Sequence, residues 1–389
     1  MSHKIIDKTV IFTAIACLIT GGLIGYFVPY FSWQSRERQL LDEIERMREQ
    51  LGSPLEREVR VYSWSWYIHP SIIDLFEETF GVSVVYKTFE SDEEVWAKLA
   101  TNASGYDVVV ISDSFVAEAV RDGLIMPLNL SLIPNLKYID EKFLNLYFDP
   151  ENEYSVPYLW GTTGIGYDEE LVQDPITGWE QLFDFSPGGF LEKYSGHITM
   201  LDDMYETIPA ALAYLGYPIH STNSTQLEEA KQLLIRQKQY LKKYAGADLY
   251  IPSLANPEAS GFWICHVWPG DLLVAKDENP NLRYVLPKEG GVWWIDCMVI
   301  PTGALHPVAA NAWISFMCDP LVATINSEYV YYATPNKVAI ENLLSEEIVE
   351  DTNIYPTAED LEKFELSPIY TPEERMLYQE IWIDIKTAP

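Results

Sequence analysis

The 389-residue chain is poor in cysteine and in positive charge. Its four cysteines, Cys17, Cys265, Cys297 and Cys318, show no Cys-x-x-Cys or Cys/His spacing of the kind that holds zinc. The neighbours Cys265 and His266 are too little for a metal centre, so no metal is expected. Cys265 and Cys297 lie in or beside two aromatic-rich segments, which leaves a disulfide and a pair of buried thiols as alternatives. Only 26 Lys and Arg stand against 58 Asp and Glu, a formal net charge of −32. Phosphate binding needs a basic face, so nucleic acid is excluded as a partner. The same charge would draw in a cationic ligand, although an acidic soluble surface explains it equally well. The sequence carries no phosphate loop and no nucleophile elbow, so neither a cofactor nor a catalytic centre is expected.

What the chain does have is aromatic rings beside acids and hydroxyls. It holds 12 Trp and 25 Tyr, many of them in Ser63-Trp64-Ser65-Trp66-Tyr67, Leu201-Asp202-Asp203-Met204-Tyr205-Glu206, Val267-Trp268-Pro269-Gly270-Asp271 and Val292-Trp293-Trp294-Ile295-Asp296. Ring faces attract cations, and carboxylates clamp ammonium groups by charge-assisted hydrogen bonds. Together they suit an organic polycation. At 48% hydrophobic residues the chain can bury real cores, and its length allows two domains after an N-terminal segment.

That segment contains the one long apolar run, Thr9 to Phe31, preceded by Lys4 and Lys8. About 20 apolar residues span a bilayer. A removed secretory signal and a retained anchor compete; the length, and an end at Val28-Pro29-Tyr30 without a small-x-small cut site, favour an anchor over residues 1–32. Ala14-Ile15-Ala16-Cys17 weakly resembles a lipoprotein cleavage site, but it lacks Leu three places before the Cys. Leu40, Ile44, Met47 and Leu51 recur at coiled-coil spacing, which reads as a short helical stalk over residues 33–56. Asn102, Asn129 and Asn223 begin glycosylation patterns that matter only in a host with that machinery.

The body alternates strand and helix. Val59–Trp64, Val82–Tyr86 and Tyr106–Ile111 read as strands. Between and after them, helices are marked by Ile72, Ile73, Phe76 and Phe80, by a Ser91 capping box before Val95, Trp96 and Leu99, and by Phe115–Val120. Further on come a strand at Ile198–Leu201 and a helix whose inner face holds Ala211, Tyr214 and Leu215. A long helix capped by Thr225 and running to about Tyr244 follows, then strands near Phe262–Trp268 and Tyr284–Leu286. This rhythm predicts mostly parallel sheets covered by helices, with ligands at the carboxyl ends of the strands.

Eight short motifs follow in order: Trp64 to Tyr67, Tyr106 to Val109, Val156 to Thr163, Asp202 to Glu206, Trp268 to Asp271, Pro287 to Gly291, Trp294 to Asp296 and Thr334 to Asn336. In this order they resemble the polyamine-binding proteins of spermidine/putrescine ABC importers. The resemblance implies an α/β, two-lobed periplasmic-binding-protein fold of type II with a cleft between the lobes. One lobe would be 57–162 plus 295–341, the other 163–294 plus 342–389. It also implies that Trp64, Ser65, Tyr67, Ser112, Asp203, Glu206, Trp268, Asp271, Trp294, Asp296 and Tyr332 line a polyamine groove. Two positions depart from the family pattern: Ser114 stands where an aromatic residue is usual, and Trp66 where an acid is common.

Each residue also has an ordinary structural role open to it. Asp203 and Glu206 fit a helix capping box, Trp268 and Trp294 fit core aromatics, Asp271 fits a turn, and Tyr332 fits core packing. Asp296 is harder to dismiss, because it interrupts an apolar strand and a buried acid needs a partner. The function expected is an extracytoplasmic receptor that closes on spermidine or putrescine, is held at the membrane by its N-terminal helix, and feeds an ABC permease. Acids at Asp203, Glu206, Asp271 and Asp296 fit a triamine better than a diamine. The alternatives are the same fold holding thiamine or ferric iron, and a glycosidase-like enzyme using paired acids.

Overall fold

The computed structural model describes residues 55–89, 92–101 and 105–389. The anchor and stalk expected before residue 55, Cys17, the Ser91 cap and the Asn102 pattern lie outside the described residues.

Apolar runs in this chain are short and bounded by helices, and they pair into two separate sheets. The strands are β1 (Glu58–Trp64), β2 (Ser83–Phe89), β3 (Val108–Ser112), β4 (Ser155–Thr162), β5 (Gly164–Asp168), β6 (Ile198–Leu201), β7 (Leu241–Ala245), β8 (Ile264–Val267), β9 (Leu282–Val285), β10 (Gly291–Val299) and β11 (Phe364–Glu365). The first sheet runs β11-β10-β3-β1-β2, with β4 also paired to β10. Within it β1 is parallel to β2 and β3, while β10 runs antiparallel to β3 and β4. The second sheet runs β7-β6-β8-β5-β9, with β6 parallel to β7 and β8. Thr163 alone separates β4 from β5, so the chain changes sheet there, and it returns between β9 and β10.

The longer helices are α1 (Pro70–Phe80), α2 (Asp92–Ala100), α3 (Asp113–Arg121), α4 (Met204–Leu215), α5 (Ser224–Lys238), α6 (Ala247–Ala255), α7 (Pro269–Lys276), α8 (Pro307–Met317), α9 (Pro320–Val330) and α10 (Pro372–Thr387). Ile72, Phe76 and Phe80 form the buried stripe of α1, as their spacing predicts, while Ile73, expected on the same face, is only half-buried. Phe76 packs on Trp313 and Phe316 of α8 with ring centroids 5.0 and 5.3 Å away. Burying each such side chain contributes about 1.5–3 kcal/mol. The second sheet has its own core, in which Leu201, Tyr250, Leu254, Cys265, Val267 and Leu272 pack together. Among the described residues no single helix is long and apolar enough to cross a membrane.

Two expectations need correction, and one open alternative is decided. The long helix starts one residue before Thr225 and is capped by Asn223, whose side chain accepts from the Thr225 and Gln226 N–H groups at 2.9 and 3.3 Å. It stops at Lys238 and not near Tyr244, because β7 takes Leu241–Ala245 to pair with β6. Sheet pairing there overrides residues that would serve equally well in a helix. On α4 the buried face covers Met204 to Ala213, whereas Tyr214 and Leu215 are only half-buried. Cys265 and Cys297 are buried free thiols in different sheets, so no disulfide joins them.

Candidate functional site

The carboxyl ends of β1, β3, β6 and β8 all point to one cleft, where the two sheets face each other. β3, β6 and β8 hand their last residues to the opening of a helix and β1 ends in a turn before α1, so side chains at those junctions project into the space between. From β1 come Trp64, Ser65 and Tyr67, and from β3 comes Ser112. Trp66, in the left-handed backbone region at φ 60°, turns outward and is 54% exposed. Trp294 and Asp296 sit two apart on β10 and therefore share a face. The indole of Trp294 lies against Gly161, its cross-strand partner, where a Cβ would stand 2.7 Å from the ring. Tyr331 ends α9 in the left-handed conformation, and Tyr332 follows it into the cleft. From the second sheet, β6 leads to Asp203 and Glu206 and β8 leads to Trp268 and Asp271.

The eleven residues expected to line a groove all border this one cavity, whereas Trp66 does not. The space between its walls, out to the open mouth, is about 740 Å³. Asp113, Ser114, Tyr205, Ala247, Val292 and Ser367 complete the lining. Tyr205 and Val292 lie inside the aromatic segments, and Asp113 and Ser114 follow the β3 end that pointed to Ser112. Ala247 and Ser367 left no sequence signal, because each reaches the cleft from a segment without a motif.

The rings and acids interlock. Tyr67 and Tyr332 meet edge to face at 5.3 Å, Trp294 and Tyr332 at 5.4 Å, and Trp64 faces Trp268 across the cleft at 6.4 Å. Asp296 is buried and accepts from the Tyr67 hydroxyl at 2.5 Å. Burial pushes its carboxyl up to about 7, against the pull of Tyr67, Trp64 and Ser112 around it. Asp271 accepts from Tyr332 at 2.7 Å and from Tyr250. The Tyr332 bond ties α7, beside the second sheet, to the segment that pairs with β4 through Ala333 and Trp160. Gly270 makes that approach feasible, since a Cβ there would lie 2.5 Å from the Tyr332 ring.

Asp203 caps α4, accepting from the Tyr205 N–H at 2.7 Å. Glu206 does not complete a capping box. Its Oε1 accepts from the Trp268 indole at 3.3 Å, while its buried Oε2 has no hydrogen-bond partner. Burial first, and then the charge of Asp203, hold the Glu206 carboxyl well above the usual range. Among the described residues no group of three or more His, Cys, Asp and Glu could hold a metal ion. The arrangement can grip a flexible cation between flat rings and carboxylates from both walls.

Two α/β sheets with parallel strand ends converging on a cleft define the periplasmic-binding-protein class, whose members take up solutes. The model of the bacterial extracellular solute-binding protein family matches residues 71–357, and the chain belongs to that family. It is a solute-binding protein of transport and not an enzyme, which removes the glycosidase reading. It is 35% identical over 308 residues to the spermidine/putrescine-binding periplasmic protein of Salmonella typhimurium, covering 78% of this chain and 84% of that one. It is 32% identical over 344 residues to the putrescine-binding periplasmic protein SpuD of Pseudomonas aeruginosa, covering 85% and 92%. The solved spermidine/putrescine ABC transporter substrate-binding protein PotD of Streptococcus pneumoniae superposes with a TM-score of 0.71 at 31% identity, over 86% of this chain and 99% of that one.

Proposed function

We propose that the cleft captures a polyamine, spermidine or putrescine, at the extracytoplasmic face of the membrane and delivers it to an ABC permease. The observation that carries this reading is the combination of Asp203 and Glu206 on one wall with Asp296 on the other, separated by Trp64, Trp268, Trp294 and Tyr332. Ammonium groups would pair with the acids while the methylenes lie along the rings. The relatives named for spermidine and putrescine support the same ligand class. In this reading the two lobes follow the two sheets and hinge at the sheet changes, at Thr163 and between β9 and β10; the cut expected at 294/295 would split β10, and an undivided 342–389 would take β11 from the sheet it joins. Acids from both lobes sharing one cation would favour the closed form, which is the differential affinity that closure requires. The apolar run at Thr9 to Phe31 would hold the receptor at the membrane.

A thermal-shift screen of putrescine, spermidine, spermine, thiamine and ferric iron tests the ligand class. Stabilisation by the amines alone is expected. A shift with thiamine or iron and none with the amines would overturn the proposal. Fractionation of cells expressing the full chain tests the anchor, with the protein expected in the membrane pellet and not in the soluble extracytoplasmic fraction.

A further inference from the structure

Asp113 opens α3 directly after Ser112, and Ser112 is the strand partner of Asp296. A first-turn acid is an ordinary helix residue when water reaches it. This one is only 1% exposed, lines the cleft, and its Oδ2 has no hydrogen-bond partner. The titratable groups that act on it or feel its charge are Asp296, Glu206, Tyr147 and Cys297, all of them acids. Among the described residues no Lys or Arg forms an ion pair with it. A carboxylate buried without a cation is costly, and a cation arriving in the cleft would relieve it.

The surroundings have room for such a cation. Ser114 and Ser367 are buried, line the same cleft, and are small hydroxyl residues. Tyr147 joins this end together, since its hydroxyl donates to the Ser367 carbonyl and its ring feels the charge of Asp113. An ammonium has three N–H donors to place, and a carboxylate with neighbouring hydroxyls can accept them.

We propose that Asp113 is a further ligand carboxylate of the cleft, one that receives an ammonium group of its own, so that the site selects amines with three or more charged nitrogens over diamines. The inference rests on the polyamine reading and deepens it. A diamine can be held by Asp296 and the Asp203–Glu206 pair alone, whereas a third nitrogen finds Asp113 unoccupied.

Calorimetric titration of the full chain with putrescine, spermidine and spermine at pH 8 and fixed salt tests it. In Asp113→Asn, affinity for spermidine and spermine is expected to fall at least about tenfold, the loss of one charge-assisted contact, with putrescine held within about twofold. Asp113→Ser keeps a small hydroxyl side chain at the first helical position, after the Ser112 cap, without the charge, and the same pattern is expected from it. Unchanged affinities, or an equal loss for all three amines, would overturn the assignment of Asp113 and leave the polyamine reading intact. A wild-type protein that binds none of the three would overturn both.

Discussion

Two pairs of carboxylates in the cleft are treated in opposite ways. Asp296 and Asp271 each accept from tyrosine hydroxyls, Tyr67 in the one case and Tyr332 with Tyr250 in the other. Glu206 and Asp113 are as deeply buried, yet each keeps an oxygen with no hydrogen-bond partner. The first pair is held in position whether or not a ligand is present. The second pair is held only on one side, and its free oxygens carry the larger desolvation cost in the empty protein. The difference separates groups that shape the cleft from groups that have most to gain when a cation enters it.

The unpartnered pair is expected to matter most to binding. Glu206→Gln is expected to lower polyamine affinity by about 100-fold, roughly 2.7 kcal/mol by calorimetry, within the range of a hydrogen bond to a charged group. A loss under about threefold would break the comparison at its strongest point. Asp296→Asn should cost about tenfold or more with the fold preserved by circular dichroism. An unchanged titration curve would remove Asp296 from the site.

The same residue sharpens the comparison through pH. Burial raises Asp296 from an ordinary carboxyl value to about 7, so the folded, ligand-free protein holds its proton where the unfolded chain has lost it. Asp296 therefore contributes stability that is fully present below the unfolded value and is lost as pH rises toward 7 and beyond. A cation needs the ionised form, so polyamine affinity should weaken from pH 8 to pH 6, by up to about tenfold per unit if one proton must leave. Asp296→Asn is expected to flatten this dependence and to raise the melting temperature of the ligand-free protein at pH 8. A wild-type affinity independent of pH over that interval would contradict it.

Smaller effects should come from the partnered side. Gly270→Ala places a Cβ 2.5 Å from the Tyr332 ring and 2.6 Å from the Val330 carbonyl, so the approach of Tyr332 to Asp271 must loosen. A several-fold loss of affinity with unchanged secondary structure is the expected outcome. Tyr332→Phe removes only the hydroxyl that meets Asp271 at 2.7 Å, and a loss of about threefold is expected by the same titration, the worth of one modest hydrogen bond.

How far these residues could be read in advance follows from their neighbours in sequence. Asp296 announced itself because it interrupts an apolar strand, where an acid has no ordinary reason to be. Asp203 was ambiguous, and it does serve as the helix cap that its spacing allowed. Asp113 lay in a segment that its place at a strand end marked, yet it drew no role of its own, since the first turn of a helix is a common place for an acid and only burial makes it unusual. Ser367 could not be seen at all, because it enters the cleft from the segment just after β11. The true end of α5 was equally concealed: Leu241–Ala245 suits a helix locally and became a strand because β6 offered an unpaired edge.

By itself the sequence determined the alternation of strands and helices and the acidic, aromatic segments that border the cleft, and the groove residues followed only from the resemblance to a family. The alternation and the segments are local matters, set by periodicity, capping and side-chain chemistry. Only the tertiary structure decided which carboxylates share a cavity, which of them meet a tyrosine, and which are left with an open oxygen. Burial and partnership depend on chain segments brought together across two sheets, and no spacing along the chain encodes them.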